Sequence, residues 1–184
     1  MNPLIRKTTT GLAVLLLAGS AAMAKDNVAH VDAAFMKNAA EAGLAEVEAS
    51  KLAATKATNT QVKSFAQQMV DDHTKANDEL KALAASKGVE LPTEPSMMQR
   101  AKLKALQGAD GANFDKRYAE SFGVKAHEDT VSLFQKESKK AKDADVKAWA
   151  TKTLPALQHH LEMAKDLNNA VKGEKAAAKT DKKS

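Results

Sequence analysis

The chain has 184 residues, which predicts one domain, and it contains no cysteine, which excludes disulfides, thiol catalysis, iron–sulfur clusters and cysteine-based zinc sites. Alanine supplies 37 residues against 8 glycines, 4 prolines and 4% aromatic residues, so the composition favours helices and disfavours an all-β fold. Of the formal net charge of +5, Arg6 and Lys7 carry +2 and the segment 172–184 carries +3. Residues 25–171 are therefore neutral, and we expect no nucleic-acid partner.

The first 24 residues have the pattern of a secretory signal. Arg6 and Lys7 form a positive n-region, residues 11–18 form a short apolar h-region, and Ala-Met-Ala at 22–24 fits a small-x-small cleavage site. The alternative is an uncleaved anchor, but the apolar run is far shorter than the ~20 residues that span a bilayer. We predict a cleaved signal peptide over 1–24, no transmembrane span after cleavage, and a periplasmic or envelope-associated protein in a bacterium.

Turn signals divide the remainder into helical runs. The signals are Thr58-Asn59-Thr60, the segments 88–95 and 108–111, and Lys142-Asp143. They predict long helices over 29–58, 61–86, 113–141 and 144–171, and a short extra helix over 96–106. Gly123 is expected to bend the third long helix, and Pro155 to kink or restart the fourth.

Two helical hairpins joined by a long connection fit a four-helix bundle over 25–171 with one crossover. A plain up-down-up-down bundle is the alternative. The segments 62–66 (VKSFA) and 146–150 (VKAWA) occupy the same place in each hairpin, which indicates two related hairpins or a chance similarity between alanine-rich helices. The Lys/Ala-rich segment 172–184 is predicted to be a disordered tail. It either makes weak contact with an envelope surface or only improves solubility.

Each long helix places one polar side chain on its apolar face. Helical spacing of about 100° per residue puts Glu46, His73, His127 and His160 among the core positions. Residues equidistant from the turn of a hairpin lie side by side, so Glu46 is level with His73 and His127 with His160. All four meet at one height if the two turns lie at opposite ends of the bundle. The pairs are separated by only about 5 Å if the turns share one end.

One carboxylate and three imidazoles suit a divalent transition metal such as Zn, Fe, Mn or Cu. We therefore predict a single-metal site formed by Glu46, His73, His127 and His160, with no catalytic residue assigned. The alternatives are hydrogen-bonded core histidines and a Glu–His ion pair. Asp72, Asp115 and Tyr118 are candidates for groups that orient the ligands, although Asp71 and Asp72 also fit ordinary surface acids.

Four stretches resemble an exported bacterial ferritin-like family labelled domain of unknown function 4142, often described as predicted outer-membrane proteins; they are 45–47, 65–73, 114–118 and 154–161. The resemblance covers roughly 30–170 and implies a ferritin-like four-helix bundle with no established activity. Di-iron members of the ferritin-like fold use Glu-x-x-His motifs, whereas Val70 and Leu157 stand three residues before His73 and His160. A single-metal site therefore fits better than ferroxidase chemistry.

The leading hypothesis is an exported, soluble bundle that binds one transition metal or a small polar ligand, for metal handling or stress protection. The alternative is a periplasmic adaptor or chaperone-like protein whose buried histidines and Glu46 are structural. An enzyme that uses the metal is a third hypothesis, for which the sequence shows no base, nucleophile or substrate pocket.

Overall fold

The computed structural model describes residues 28–181, with side chains described as far as Gly173. This part of the chain is all-helical, and it contains no helix with the length and hydropathy that a membrane span requires. Its elements are α1 (His30–Lys56), α2 (Thr60–Lys87), α3 (Met97–Gln107), α4 (Gly111–Tyr118), a π-helical segment (Ala119–Lys125), α5 (Ala126–Lys140) and α6 (Ala144–Asp181). The predicted signal peptide lies outside the described residues.

The helix ends follow the predicted turn signals. Asn59 caps α2, because its side-chain oxygen accepts hydrogen bonds from the amides of Gln61 and Val62. Gly88 ends α2 in the left-handed region at φ 67°, where a residue without Cβ avoids strain. Ser96 and Gln99 form a capping box that begins α3. The short helix predicted over 96–106 is thus present in the connection.

The predicted helix over 113–141 contains a π-helical segment. Ala119–Lys125 separates α4 from α5 and includes Gly123, the residue expected to bend this helix. A π turn bonds i to i+5 instead of i+4, so it rotates the face of the helix that follows it. Phe114 and Tyr118 before the segment and His127 after it are therefore all buried, although an uninterrupted α-helix places them on different sides.

The last helix is longer than predicted. It contains Pro155 without a break and continues to Asp181, ten residues beyond the expected end at 171. Alanine and lysine are strong helix formers, and the single glycine after 171, Gly173, does not end the helix. The helix thus enters the segment for which a disordered tail was predicted, and the side chains after Gly173 lie outside the described part.

The two hairpins pack with their turns at opposite ends. α1 packs along α2 and α5 along α6, while α2 contacts α6 and α1 contacts α5. Asp32, at the start of α1, accepts hydrogen bonds from the amides of Lys142 and Asp143 in the second turn. The start of α1 is distant from the first turn, so these bonds place the second turn at the other end.

The same construction recurs at the first turn. Asp115, in the middle of the short helix α4, accepts hydrogen bonds from the amides of Thr58 and Asn59 and from the Thr58 hydroxyl. Asp143 then caps α6 through the amides of Asp145 and Val146, as Asn59 caps α2. The turns and the carboxylates bound to them thus correspond between the two hairpins, as the segments 62–66 and 146–150 do.

Two apolar clusters fill the interior, one towards each end. The cluster near the first turn contains Phe65, Met69, Phe114, Tyr118 and Phe122, together with alanines of α1 and apolar residues of α6. The cluster near the second turn is built around Phe35, Phe134 and Trp149, whose ring centroids lie 5.0–5.9 Å apart. These clusters account for the apolar periodicity, and they leave a level between them for the polar residues.

Candidate metal centre

A layer of buried polar side chains separates the two apolar clusters. On α1, Glu46 lies after the residues of one apolar cluster, Phe35–Ala40, and before those of the other, Ala49 and Ala53. The three histidines lie between the same two clusters on α2, α5 and α6. Glu46 is 3% exposed and the histidines between 1% and 6%. These four residues were expected to share one level if the two turns lie at opposite ends of the bundle, and the structure has the turns in that arrangement.

The structure brings His73, His127 and His160 together. Each offers one ring nitrogen, and the three nitrogens lie within 4.8 Å of one another. The Nε2 atoms of His73 and His127 are 3.3 Å apart, which is also within hydrogen-bonding distance. Two ligands that each lie 2.0–2.1 Å from a tetrahedral ion are separated by about 3.3 Å, so this pair already has the spacing that such an ion requires.

The π-helical segment orients His127. Nδ1 of His127 donates a hydrogen bond to the carbonyl oxygen of Gly123 at 2.7 Å and approaches that of Phe122 at 3.1 Å. Because a carbonyl oxygen only accepts, Nδ1 carries the proton and Nε2 carries the lone pair. A backbone carbonyl behind a ligating histidine is the usual way in which its tautomer and ring plane are fixed.

Asp72 orients His160. Nε2 of His160 donates to a carboxylate oxygen of Asp72 at 3.0 Å, although the Asp72 side chain is 47% exposed. The proton therefore sits on Nε2 and the lone pair on Nδ1, which is buried and has no hydrogen-bond partner among the described side chains. The structure therefore favours the interpretation of Asp72 as a group that orients a histidine over that of an ordinary surface acid. Asp71 instead accepts a hydrogen bond from the Gln67 side chain.

The electrostatics keep all three imidazoles neutral. Burial lowers the pKa of His73 well below 6.5, and the neighbouring histidines lower it further. Burial likewise lowers the pKa of His127 to about 4 and lowers that of His160, which Asp72 partly restores. At neutral pH each imidazole therefore carries a single proton, and an ion bound through Nε2 of His73 displaces the proton that this atom shares with Nε2 of His127.

Glu46 lies in the polar layer but outside the group of mutually close nitrogens. Neither of its carboxyl oxygens has a hydrogen-bond partner within the described part of the chain. Burial raises its pKa well above 4.5, and Lys102 on α3 counteracts this only in part. Glu46 and His73 line one cavity of about 20 Å³. The structure thus sets Glu46 beside the histidine cluster, and its role as a fourth ligand stays a prediction.

Two of the proposed orienting residues have other partners. Asp115 binds the first turn. The Tyr118 hydroxyl shares a buried 2.8 Å hydrogen bond with Ser50, and burial raises the pKa of that hydroxyl. The contact between Asp115 and the turn could not be predicted, because it joins residues 57 positions apart in the sequence.

A family model described as "Domain of unknown function (DUF4142)" matches residues 17–167. No curated protein and no solved structure matches the chain.

Proposed function

The chain belongs to the DUF4142 family, and we propose that this member binds one divalent transition-metal ion through His73, His127 and His160. The observation that carries the proposal is the 3.3 Å separation of the His73 and His127 Nε2 atoms, inside a cluster of three neutral imidazoles. Nitrogen ligands of this kind suit Zn, Cu or Fe, and Mn becomes a candidate if a carboxylate joins them.

The ligand atoms of His127 and His160 follow from the hydrogen bonds that their other ring nitrogens make. We assign Nε2 of His127 and Nδ1 of His160, because the opposite nitrogen of each ring is held by Gly123 or Asp72. His73 contributes Nε2, which faces His127 in the same cluster. The three ligands are uncharged, so the ion keeps its charge, and Glu46 is the buried carboxyl group in the same layer that can balance it.

The wider setting is also a proposal. The packing of α1, α2 and α6 with the α4–α5 region supports a ferritin-like four-helix arrangement, with α3 in the crossover. We propose that the protein is exported after removal of residues 1–24 and acts in metal handling or stress protection at the bacterial envelope. The Lys-rich residues after 171 would give it a weak contact with an anionic surface.

Elemental mass spectrometry tests the proposed site. Tag-free protein comprising residues 25–184 is purified without chelators, beside the double variant His73→Ala, His160→Ala and the control His159→Ala, whose side chain is exposed. We expect about one ion per chain in the wild type and the control, and none in the folded double variant. A folded wild type that takes up no Zn, Fe, Mn or Cu would contradict the proposal and favour an adaptor or chaperone-like protein.

A further inference from the structure

Two cavities meet at Glu46. The inner cavity, of about 20 Å³, is lined by mostly apolar residues together with Glu46, His73, Asn77 and Thr130. The outer cavity, of about 130 Å³, is lined by Glu46, Gln99, Lys102 and Asp129 beneath α3. Ala42, Glu46 and Thr130 line both cavities, so these three residues form the partition between them.

The inner cavity has the size of a site for one small molecule, and a few polar side chains stand in its otherwise apolar wall. A cavity needs on the order of 10–15 Å³ to hold a water, and a buried water needs two to four polar partners. The inner cavity exceeds this volume, and both carboxyl oxygens of Glu46 are buried and lack partners among the described residues. Groups of this kind are rarely left unsatisfied in a folded protein.

The histidine cluster leaves a place for such a molecule. Three protein ligands around a four-coordinate ion leave one position for an exogenous ligand. His73 is both a member of the cluster and part of the inner cavity's wall. The cavity is too small for an organic substrate, which restricts the ligand to water, hydroxide or a molecule of similar size.

We propose that the inner cavity binds one water-sized polar ligand, which hydrogen-bonds to Glu46 and completes the coordination of the ion held by the histidines. This inference rests on the proposed function. The ligand reaches the cluster from the outer cavity beneath α3, through the partition formed by Ala42, Glu46 and Thr130. Glu46 is thereby a positioning residue for the exogenous ligand instead of a direct metal ligand.

Pulsed electron paramagnetic resonance of the Cu²⁺-loaded protein in D₂O tests the proposal. A water on the ion gives a strongly coupled exchangeable deuteron signal that is absent in H₂O. We expect one such water in the wild type. Ala42→Leu should fill the partition and remove the signal, whereas Ala34→Leu makes the same change at an exposed position of α1 and should preserve it. If Ala42→Leu does not fold, Thr130→Leu fills the same partition from α5.

The outcomes separate the two proposals. Because Cu²⁺ binds nitrogen ligands more tightly than Zn²⁺, Fe²⁺ or Mn²⁺, failure of Cu²⁺ to bind would contradict the proposed function. Stoichiometric Cu²⁺ without an exchangeable deuteron would overturn the inference while leaving the metal site intact, as direct coordination by Glu46 would produce. A deuteron signal that persists unchanged when the partition is filled would place the exogenous ligand elsewhere and would also overturn it.

Discussion

Asp32 and Asp115 hold equivalent places in the two hairpins. Each is buried in the first few turns of the first long helical run of its own hairpin, 30–56 or 111–140. Each accepts hydrogen bonds from two consecutive backbone amides in the turn of the other hairpin. These hydrogen bonds stabilise an arrangement in which the two turns lie at opposite ends of the molecule. The same arrangement brings the polar residues of all four long helical runs to one level.

Removing either carboxylate should destabilise the protein by a similar amount. Hydrogen bonds to charged groups contribute about 1.5–3 kcal/mol each, so we expect Asp32→Ala and Asp115→Ala each to lower the free energy of unfolding by roughly 3 kcal/mol or more. Urea denaturation at neutral pH measures this, with the exposed Asp78→Ala as control. A loss below 1 kcal/mol in either variant would argue against the equivalence of the two contacts.

Asp72 should matter for metal affinity more than its exposed position suggests. Its hydrogen bond to His160 fixes the ligand tautomer, and loss of such a partner typically weakens metal binding by about 10–100-fold. We expect this weakening in Asp72→Ala and none in Asp71→Ala, as measured by competition with a chromophoric chelator. Equal affinities in the two variants would mean that Asp72 does not orient His160.

Metal removal should lower the stability of the fold. An ion that binds only the folded state adds about 2.7 kcal/mol when its free concentration is 100 times the dissociation constant. We expect Zn²⁺ to raise the thermal midpoint of the wild type and a chelator to reverse the change. The variant His73→Ala, His160→Ala should respond to neither addition, and a matching response there would indicate adventitious binding at the surface.

The metal-free protein should lose stability in mildly acidic solution. The folded-state pKa of His127 is lowered from 6.5 to about 4, so between these pH values the unfolded state binds more protons. The contribution of neutral His127 to the free energy of unfolding is complete above pH 6.5. As the pH falls through this window, the free energy of unfolding decreases by on the order of 3 kcal/mol for His127 alone. Urea midpoints from pH 7.5 to 4 measure it, and His127→Gln should show a shallower dependence than the exposed control His159→Gln.

Glu46 should have the opposite pH dependence. Its pKa is raised by burial, so the folded state binds the proton more tightly than the unfolded state and stability falls as the pH rises above 4.5. In metal-free protein, Glu46→Gln should therefore increase the urea midpoint at pH 8 and have little effect near pH 4. The exposed Glu48→Gln is the control, and a destabilised Glu46→Gln protein at pH 8 would contradict the expectation.

The sequence predicted the level of the polar residues because level follows from distance along each helix to its turn. It did not predict how close their atoms come, because that depends on rotation about each helix axis. The π-helical segment changes this rotation for His127, and no simple sequence signal marks it apart from Gly123. The hydrogen-bond partners of Asp32, Asp72 and Asp115 could not be predicted from the sequence either, because each contact joins residues more than 50 positions apart.

The reciprocal contacts of Asp32 and Asp115 also mean that neither hairpin carries all of its own stabilising groups. A separate fragment that ends within the connection 88–110 would lack the carboxylate for its turn and at least one histidine. Two such fragments should complement each other when mixed. Two full chains that exchange hairpins would likewise keep every one of these contacts, with only the connection taking a new path, so this architecture is suited to domain swapping.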